Sequence, residues 1–214
     1  TREQENLSEV PVSIGVINED AVRAVGATHP QQILNQVPGV AANAVWAVVN
    51  KTLFYVWNDP NTLLTTRVQK HVLGTAAKDD VVVYEEKDDS FYMGVGRTRD
   101  DKYICIQVGS TVSSEARCTP AADPGEFVVL APRQRDVEYE ADHHGGRWVI
   151  RTNADDAKNY KIVTAPDGST SRKDWKDWVA HRDDVFIDGF ELFDGFTAIA
   201  ERSEGLERLR LLKA

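Results

Sequence analysis

The sequence predicts a mainly β fold: a partial β-propeller of about three four-stranded antiparallel blades plus an incomplete blade, preceded by a short α/β segment. Three observations predict it. Residues 90–130 divide into four short apolar runs separated by turn residues. Similar stretches recur at regular intervals, and the first 42 residues follow a different pattern. Four strands in each repeat of roughly 40–50 residues are typical of a propeller blade.

The repeat is anchored on an aromatic residue that follows a turn and opens the second strand of each copy. These anchors lie roughly 45–50 residues apart, which is the period of a four-stranded blade; they are Phe54, Tyr103, Trp148 and Phe196. A generic β-meander with even spacing is the alternative interpretation. The recurrence of a turn at the same offset favours the propeller.

The alternating patterns predict the inner and second strands of the blades. The predicted inner strands include Phe91–Val95, Val137–Ala141 and Phe186–Leu192. The predicted second strands include Leu53–Trp57, Tyr103–Gln107, Trp148–Arg151 and Phe196–Ala200. In the clearest copy, a third strand is expected near Ser113–Cys118 and a fourth near Glu126–Leu130.

The N-terminal segment is predicted to be a separate unit, so we expect a boundary between residues 1–42 and residues 43–214. An alternating run at residues 9–17 predicts a strand. Capping and breaking residues then predict two short helices, Ala21–Val25 and His29–Gln36. A strand followed by two helices occurs nowhere else in the predicted order.

Composition narrows the class of protein. The 214 residues are 42% hydrophobic and 28% charged, as in a soluble globular protein. The formal net charge of −9 argues against a nucleic-acid partner, which requires a basic surface. No run approaches the roughly 18 apolar residues of a membrane span, and no signal peptide is visible. Cys105 and Cys118 lie on neighbouring predicted strands, and we expect them to be free, half-buried thiols. The two cysteines therefore do not indicate whether the compartment is oxidising or reducing.

The first residues resemble a known domain. Residues 5–40 contain the strand Val10-Pro11-Val12-Ser13, the turn Gly26-Ala27-Thr28 and the closing Val37-Pro38-Gly39-Val40. They resemble the start of the plug domain of TonB-dependent outer-membrane receptors. The further plug strands and the long barrel of that family do not follow, so the resemblance ends near residue 40.

The rest of the chain, about residues 45–214, resembles the N-terminal β-propeller of oligopeptidase B, in the prolyl oligopeptidase family of serine peptidases. Whole phrases carry the resemblance in order, among them NKTLFYVWNDPNTLL, SFYMGVGRTRDDKYICI, VEYEADHHGGRWVIRTNADDAKNYKIV and HRDDVFIDGFELF. In that family a seven-bladed propeller caps an α/β-hydrolase domain. The resemblance therefore implies a peptidase acting on short cationic peptides at basic residues, in the bacterial cytoplasm or periplasm, with the hydrolase domain as a missing partner.

The catalytic chemistry of that family is not found in these 214 residues. An α/β-hydrolase needs a Gly-x-Ser-x-Gly elbow followed by an acid and a histidine, and no such motif occurs. No triad residue can be assigned, so we predict that the chain alone is inactive. No motif predicts a cofactor. The pair His143-His144 beside Asp142 could in principle bind a metal, but neighbouring strand residues point to opposite faces, which favours a solvated turn and no metal site.

Two acidic segments are the weak candidates for substrate binding. The simplest interpretation is a solvated connection between blades. Alternatively, their carboxylates face a channel or interface and steer cationic peptides. The candidate residues are Glu85, Glu86, Asp88, Asp89, Asp183 and Asp184.

Three functional hypotheses follow. The first is the substrate-gating propeller of an oligopeptidase B-like peptidase without its catalytic half. The second is a non-catalytic, propeller-type binding module, and the third is a fragment of a TonB-dependent receptor. The longer resemblance favours the first. Because an incomplete propeller leaves sheet faces uncovered, we also expect self-association or marginal stability.

Overall fold

The computed structural model describes residues 43–48, 51–59 and 61–213. In these residues the chain forms antiparallel sheets joined by short turns, and no helix there is long and apolar enough to span a membrane. The chain divides into two units, with the boundary between Asp89 and Ser90. The predicted plug-like segment and its two helices, Ala21–Val25 and His29–Gln36, lie outside the described residues.

The described part of the first unit is one four-stranded sheet, blade 1, with its strands in sequence order. Alternate residues of the second strand, Phe54 and Val56, are buried with Val68 of the third, as the period of two in a half-buried strand requires. The strands are β1 (Ala44–Trp46), β2 (Thr52–Asn58), β3 (Thr65–Val72) and β4 (Val81–Glu85), with a 3-10 turn at Ala77–Asp79 before β4.

The second unit contains two further four-stranded meanders and a three-stranded sheet. Blade 2 consists of β5 (Tyr92–Arg97), β6 (Tyr103–Gly109), β7 (Ser114–Pro120) and β8 (Val128–Val129). Blade 3 consists of β9 (Tyr139–His144), β10 (Arg147–Thr152), β11 (Lys161–Pro166) and β12 (Lys176–Val179), with a 3-10 turn at Arg172–Asp174 before β12. Blade 4 consists of β13 (Phe186–Leu192), β14 (Phe196–Ser203) and β15 (Leu206–Lys213).

Blades 2, 3 and 4 pack face to face. One side of blade 3 packs on blade 2 through a buried apolar cluster that includes Cys105, Cys118, Tyr139, Trp148 and Ile150. The opposite side packs on blade 4 through a second cluster that includes Val149, Ile162, Val179, Leu192 and Ile199. Blade 3 is therefore buried on both faces, and Trp148 and Val149 point to opposite neighbours because they are consecutive on one strand.

The predicted fold class is confirmed. The four anchor aromatics each lie in the second strand of a blade, in β2, β6, β10 and β14. The predicted inner strands correspond to β5, β9 and β13, with ends shifted by a few residues in the first two. Sheets of four, four, four and three strands match three blades plus an incomplete one.

The expectation of free cysteines is wrong. Cys105 and Cys118 form a disulfide, and both residues are buried. The reason is the register of the β6–β7 hairpin: Gly109 pairs with Ser114, which places Cys105 directly opposite Cys118. The prediction of neighbouring strands for the two cysteines is correct, and the pairing follows from the register of the hairpin.

Candidate functional site

A polar cluster joins blade 2 to blade 3 at one end of their sheets. We call it the interblade latch; its members are Asp100, Lys102, Tyr103, His143 and Asp167. Three segments of the chain bring it together. Asp100 and Lys102 come from the β5–β6 turn, His143 from the end of β9, and Asp167 from the residue after β11.

His143 is the centre of the latch. Its side chain is fully buried, and Nδ1 donates to Asp100 Oδ2 over 2.7 Å. Nε2 lies 3.1 Å from Asp167 Oδ1 without hydrogen-bonding geometry. The rings of Tyr103 and Trp148 pack edge-on against the imidazole, with centroids 5.0 and 4.9 Å away. The expectation that His143 lies in a solvated turn is therefore wrong, because its strand face is the one that packs on blade 2.

His144 points to the other face of the sheet and is partly exposed. Its Nε2 lies 3.4 Å from the carboxylate of Asp194 in the β13–β14 turn. The two histidines therefore contact different blades, as their alternation along β9 predicts. That separation keeps the pair from acting together on one ligand.

The latch carboxylates are held in their charged form. Burial raises the pKa of Asp100, but hydrogen bonds from His143 and from the Lys102 amide outweigh it, so the pKa falls below its ordinary value. Burial likewise raises the pKa of Asp167, and hydrogen bonds from Lys102 and Tyr103 bring it below normal. Burial and the hydrogen bond to Asp167 raise the pKa of Tyr103 to about 12. The two carboxylates therefore serve as acceptors for hydrogen bonds that connect blade 2 to blade 3.

An acidic pocket lies at another place in the second unit, where the loop before β13 meets the β14–β15 turn. Its volume is about 310 Å³. Three carboxylates line it, and the one guanidinium, from Arg202, is already bonded to Asp188 at 2.8 Å. The lining residues are Asn159, Asp183, Asp184, Phe186, Arg202, Ser203, Glu204 and Gly205.

Two predicted candidates, Asp183 and Asp184, lie in this pocket. The side-chain amide of Asn159 donates to the carbonyl of Asp183 over 2.8 Å and so fixes the loop. The Asp183 carboxylate is fully exposed and lies 3.9 Å from His181 Nε2. Glu204 and Phe186 line the same pocket, because the fold brings the β14–β15 turn beside residue 183.

The other candidates, Glu85–Asp89, lie at the end of the first unit. Glu85 forms an ion pair with Arg67 at 2.8 Å, across the β3–β4 pair. Glu86 accepts hydrogen bonds from the hydroxyl of Tyr84 and from the amides of Lys87 and Asp88. These two glutamates therefore organise the turn itself, while Asp88 and Asp89 are exposed.

Several serine hydroxyls of the described residues are held by hydrogen bonds to other groups of the fold. Ser110 bonds with Ser113, Ser114 with the carbonyl and amide of Tyr139, and Ser169 with Asp174. The imidazoles of His71 and His143 form hydrogen bonds with aspartates and not with serine hydroxyls. The geometry of these groups thus supports structure and not nucleophilic catalysis, which needs a hydroxyl bonded to a base.

Comparison with known proteins identifies the fold. A family model of the prolyl oligopeptidase N-terminal β-propeller domain matches residues 17–214. The chain belongs to this family. The resemblance inferred from about residues 45–214 is thereby confirmed, and the matched range begins inside the segment that resembles a receptor plug.

Individual relatives agree with the family. Dipeptidyl aminopeptidase BI of Pseudoxanthomonas mexicana is 68% identical over 189 residues, which are 88% of this chain and 26% of the relative. Among solved structures, oligopeptidase B of Leishmania major matches with a TM-score of 0.77 and 30% identity over 83% of this chain and 25% of that chain. Oligopeptidase B of Trypanosoma brucei with covalently bound antipain matches with a TM-score of 0.73 and 28% identity, with the same coverage. This chain thus spans about a quarter of the length of these relatives.

Proposed function

We propose that this chain is the substrate-gating propeller portion of a serine-type peptidase that removes dipeptides from the amino end of short peptides, with a preference for basic residues. The observation that carries the proposal is the 68% identity to dipeptidyl aminopeptidase BI over 88% of the chain. The preference for basic residues rests on the likeness to oligopeptidase B at 30% identity. The earlier hypothesis of an oligopeptidase B-like activity becomes the second candidate.

The two candidates differ in what they require of the substrate. A peptidase that releases dipeptides must recognise the free α-ammonium group at the amino end, whereas an oligopeptidase that cuts after basic residues has no such requirement. Carboxylates are the groups that bind an ammonium ion. The acidic pocket around Asp183, Asp184 and Glu204 is a place where the propeller could attract such a charge, and the net charge of −9 supports the same steering.

The chemistry itself is assigned to the part of the enzyme outside these 214 residues. The relatives are about four times longer than the matched part, and the chain contains no Gly-x-Ser-x-Gly elbow. The role of the propeller is then to filter substrates by size and charge. The alternative of a non-catalytic binding module has no observation of its own in its favour, and the plug-like resemblance of residues 5–40 stays a prediction.

The test uses the complete reading frame that encodes this chain. We expect the purified enzyme to cleave a fluorogenic Arg-Arg substrate with a free amino group much faster than the same substrate carrying an N-acetyl group. Equal rates on the two substrates would favour the oligopeptidase B candidate. No cleavage of either, together with no labelling by an active-site serine probe, would overturn both candidates and leave a binding module.

A further inference from the structure

The Cys105–Cys118 disulfide lies where two blades meet. It joins directly opposed residues of β6 and β7, within blade 2. Both cysteines are more than 90% buried, and they belong to the apolar cluster that blade 2 shares with blade 3. Tyr139, Trp148 and Ile150 of blade 3 are in the same cluster.

Thiol–disulfide exchange requires a thiolate to approach one sulfur of the bond. When blades 2 and 3 are packed, the side chains of blade 3 cover the face on which both sulfurs lie. A reductant can therefore reach the disulfide only after this interface opens. The rate of reduction then reports how often the interface opens, as hydrogen exchange does for a buried amide.

The interblade latch closes the same interface. Tyr103 packs against the apolar cluster and donates a hydrogen bond to Asp167. Trp148 belongs to the cluster and donates from Nε1 to the carbonyl of Asp167 over 3.1 Å. Asp167 thus connects the latch to the residues that cover the disulfide.

We propose that the Cys105–Cys118 disulfide is a redox-sensitive lock whose reduction is gated by opening of the blade 2–blade 3 interface. The thiolate of a dithiol reductant attacks one sulfur, the S–S bond breaks, and the other sulfur leaves as a thiolate and takes a proton. The second thiol of the reductant then attacks the mixed disulfide. This step releases the second cysteine as a thiol and oxidises the reductant to its own disulfide.

An open interface allows reduction, and reduction breaks the cross-link between β6 and β7 on the face of blade 2 that packs on blade 3. An oxidising compartment keeps the lock closed, whereas a dithiol protein of the thioredoxin class can release it once the interface opens.

The test measures reduction of the oxidised 214-residue chain by dithiothreitol. Samples are alkylated at intervals, and the free thiols are counted by intact mass. We expect the folded chain to lose the disulfide at least about tenfold more slowly than the urea-unfolded chain, because only the open fraction reacts. Equal rates, or two free thiols in the chain after purification under oxidising conditions, would overturn the proposal.

Variants separate local opening from global unfolding. Asp167→Asn removes the charge that Lys102 and Tyr103 contact and should speed reduction several-fold. Lys102→Gln weakens the same contact from a partly exposed position and should have the same effect. Ile199→Val is the matched control, since it removes a buried methyl group between blades 3 and 4. It should leave the reduction rate unchanged. An equal acceleration by Ile199→Val, or none by either latch variant, would show that the interface does not gate the exchange.

Discussion

At the scale of the residue, Tyr139 joins segments that are distant in the chain. Its hydroxyl accepts from the amides of Ala116 and Ala131 at 2.8 and 3.2 Å and donates to the carbonyl of Ala131 at 2.7 Å. Burial raises the pKa of this phenol to about 12, so the hydroxyl stays neutral and can donate. One side chain of blade 3 thereby provides hydrogen-bond partners for buried backbone groups of Ala116 in blade 2 and of Ala131 between β8 and β9.

Tyr139→Phe should lower the free energy of unfolding by about 1–3 kcal/mol, because it leaves buried backbone groups without their partner. Urea unfolding followed by fluorescence measures the change. Tyr92→Phe is the matched control, since Tyr92 is 64% exposed, and it should stay within about 0.5 kcal/mol of the wild type. The same loss for both variants would contradict the role assigned to Tyr139.

The latch makes the free energy of unfolding depend on pH under acidic conditions. The pKa values of Asp100 and Asp167 are lower in the folded chain than their ordinary values. Such groups stabilise the fold above their unfolded pKa, near 4, and this contribution is lost as the pH falls through the folded pKa. Asp142, whose pKa is raised by burial, acts in the opposite sense and stabilises the fold at low pH.

Asp100→Asn should therefore flatten the decline of the melting temperature below about pH 4. Asp123→Asn, at an exposed position, controls for the change in net charge. Thermal unfolding between about pH 6 and pH 2 measures both curves. An unchanged slope in Asp100→Asn would show that this carboxylate has no part in acid unfolding.

At the scale of the element, the β9–β10 hairpin depends on two glycines. Gly145 and Gly146 lie between the paired residues His144 and Arg147, with φ values of 62° and 76°. A two-residue turn with both φ values positive matches the twist of the strands that it joins. This turn sets the register that places His143 on the blade 2 face.

Gly146→Ala should cost about 1–2 kcal/mol in unfolding free energy, because alanine is strained at positive φ even though its Cβ meets nothing within 4 Å. Gly125→Ala is the control: its Cβ also has open space, and its φ is not in the left-handed region. Chemical denaturation of the two variants gives the comparison. Equal stability would mean that the turn tolerates a side chain.

The sequence predicted the elements well because their signals are local. Phe54, Tyr103, Trp148 and Phe196 each follow a turn and begin an alternating run, and all four lie in second strands. The latch could not be predicted in this way. His143, Asp100 and Asp167 meet only when separate blades pack, and no spacing along the chain encodes that contact.

The disulfide was missed for a different reason. Its signal was present, since a short hairpin loop fixes which residues oppose each other, and the register from Gly109 and Ser114 leads directly to Cys105 and Cys118. For the acidic pocket, Asp183 and Asp184 were found by their charge. That Glu204 lies beside them does not follow from the sequence, because the β14–β15 turn reaches them only in the folded chain.

At the scale of the whole molecule, the outer face of blade 4 predicts self-association of the isolated chain. Leu209 and Leu211 of β15 are 69% and 61% exposed, on the face turned away from the cluster shared with blade 3. Adjacent exposed leucines favour association. Sedimentation at micromolar concentration should show species larger than a monomer, and Leu209→Gln with Leu211→Gln should reduce them. A monodisperse monomer with a sharp unfolding transition would contradict this expectation.

The central claim, which belongs to the proposed function, is that these 214 residues are a propeller portion of a peptidase and do not hydrolyse peptides by themselves. The most direct test incubates the purified chain with a fluorogenic Arg-Arg substrate and with an active-site serine probe. We predict no turnover above background and no stoichiometric labelling. Turnover that copurifies with the chain, with labelling lost when one serine is replaced, would contradict the claim.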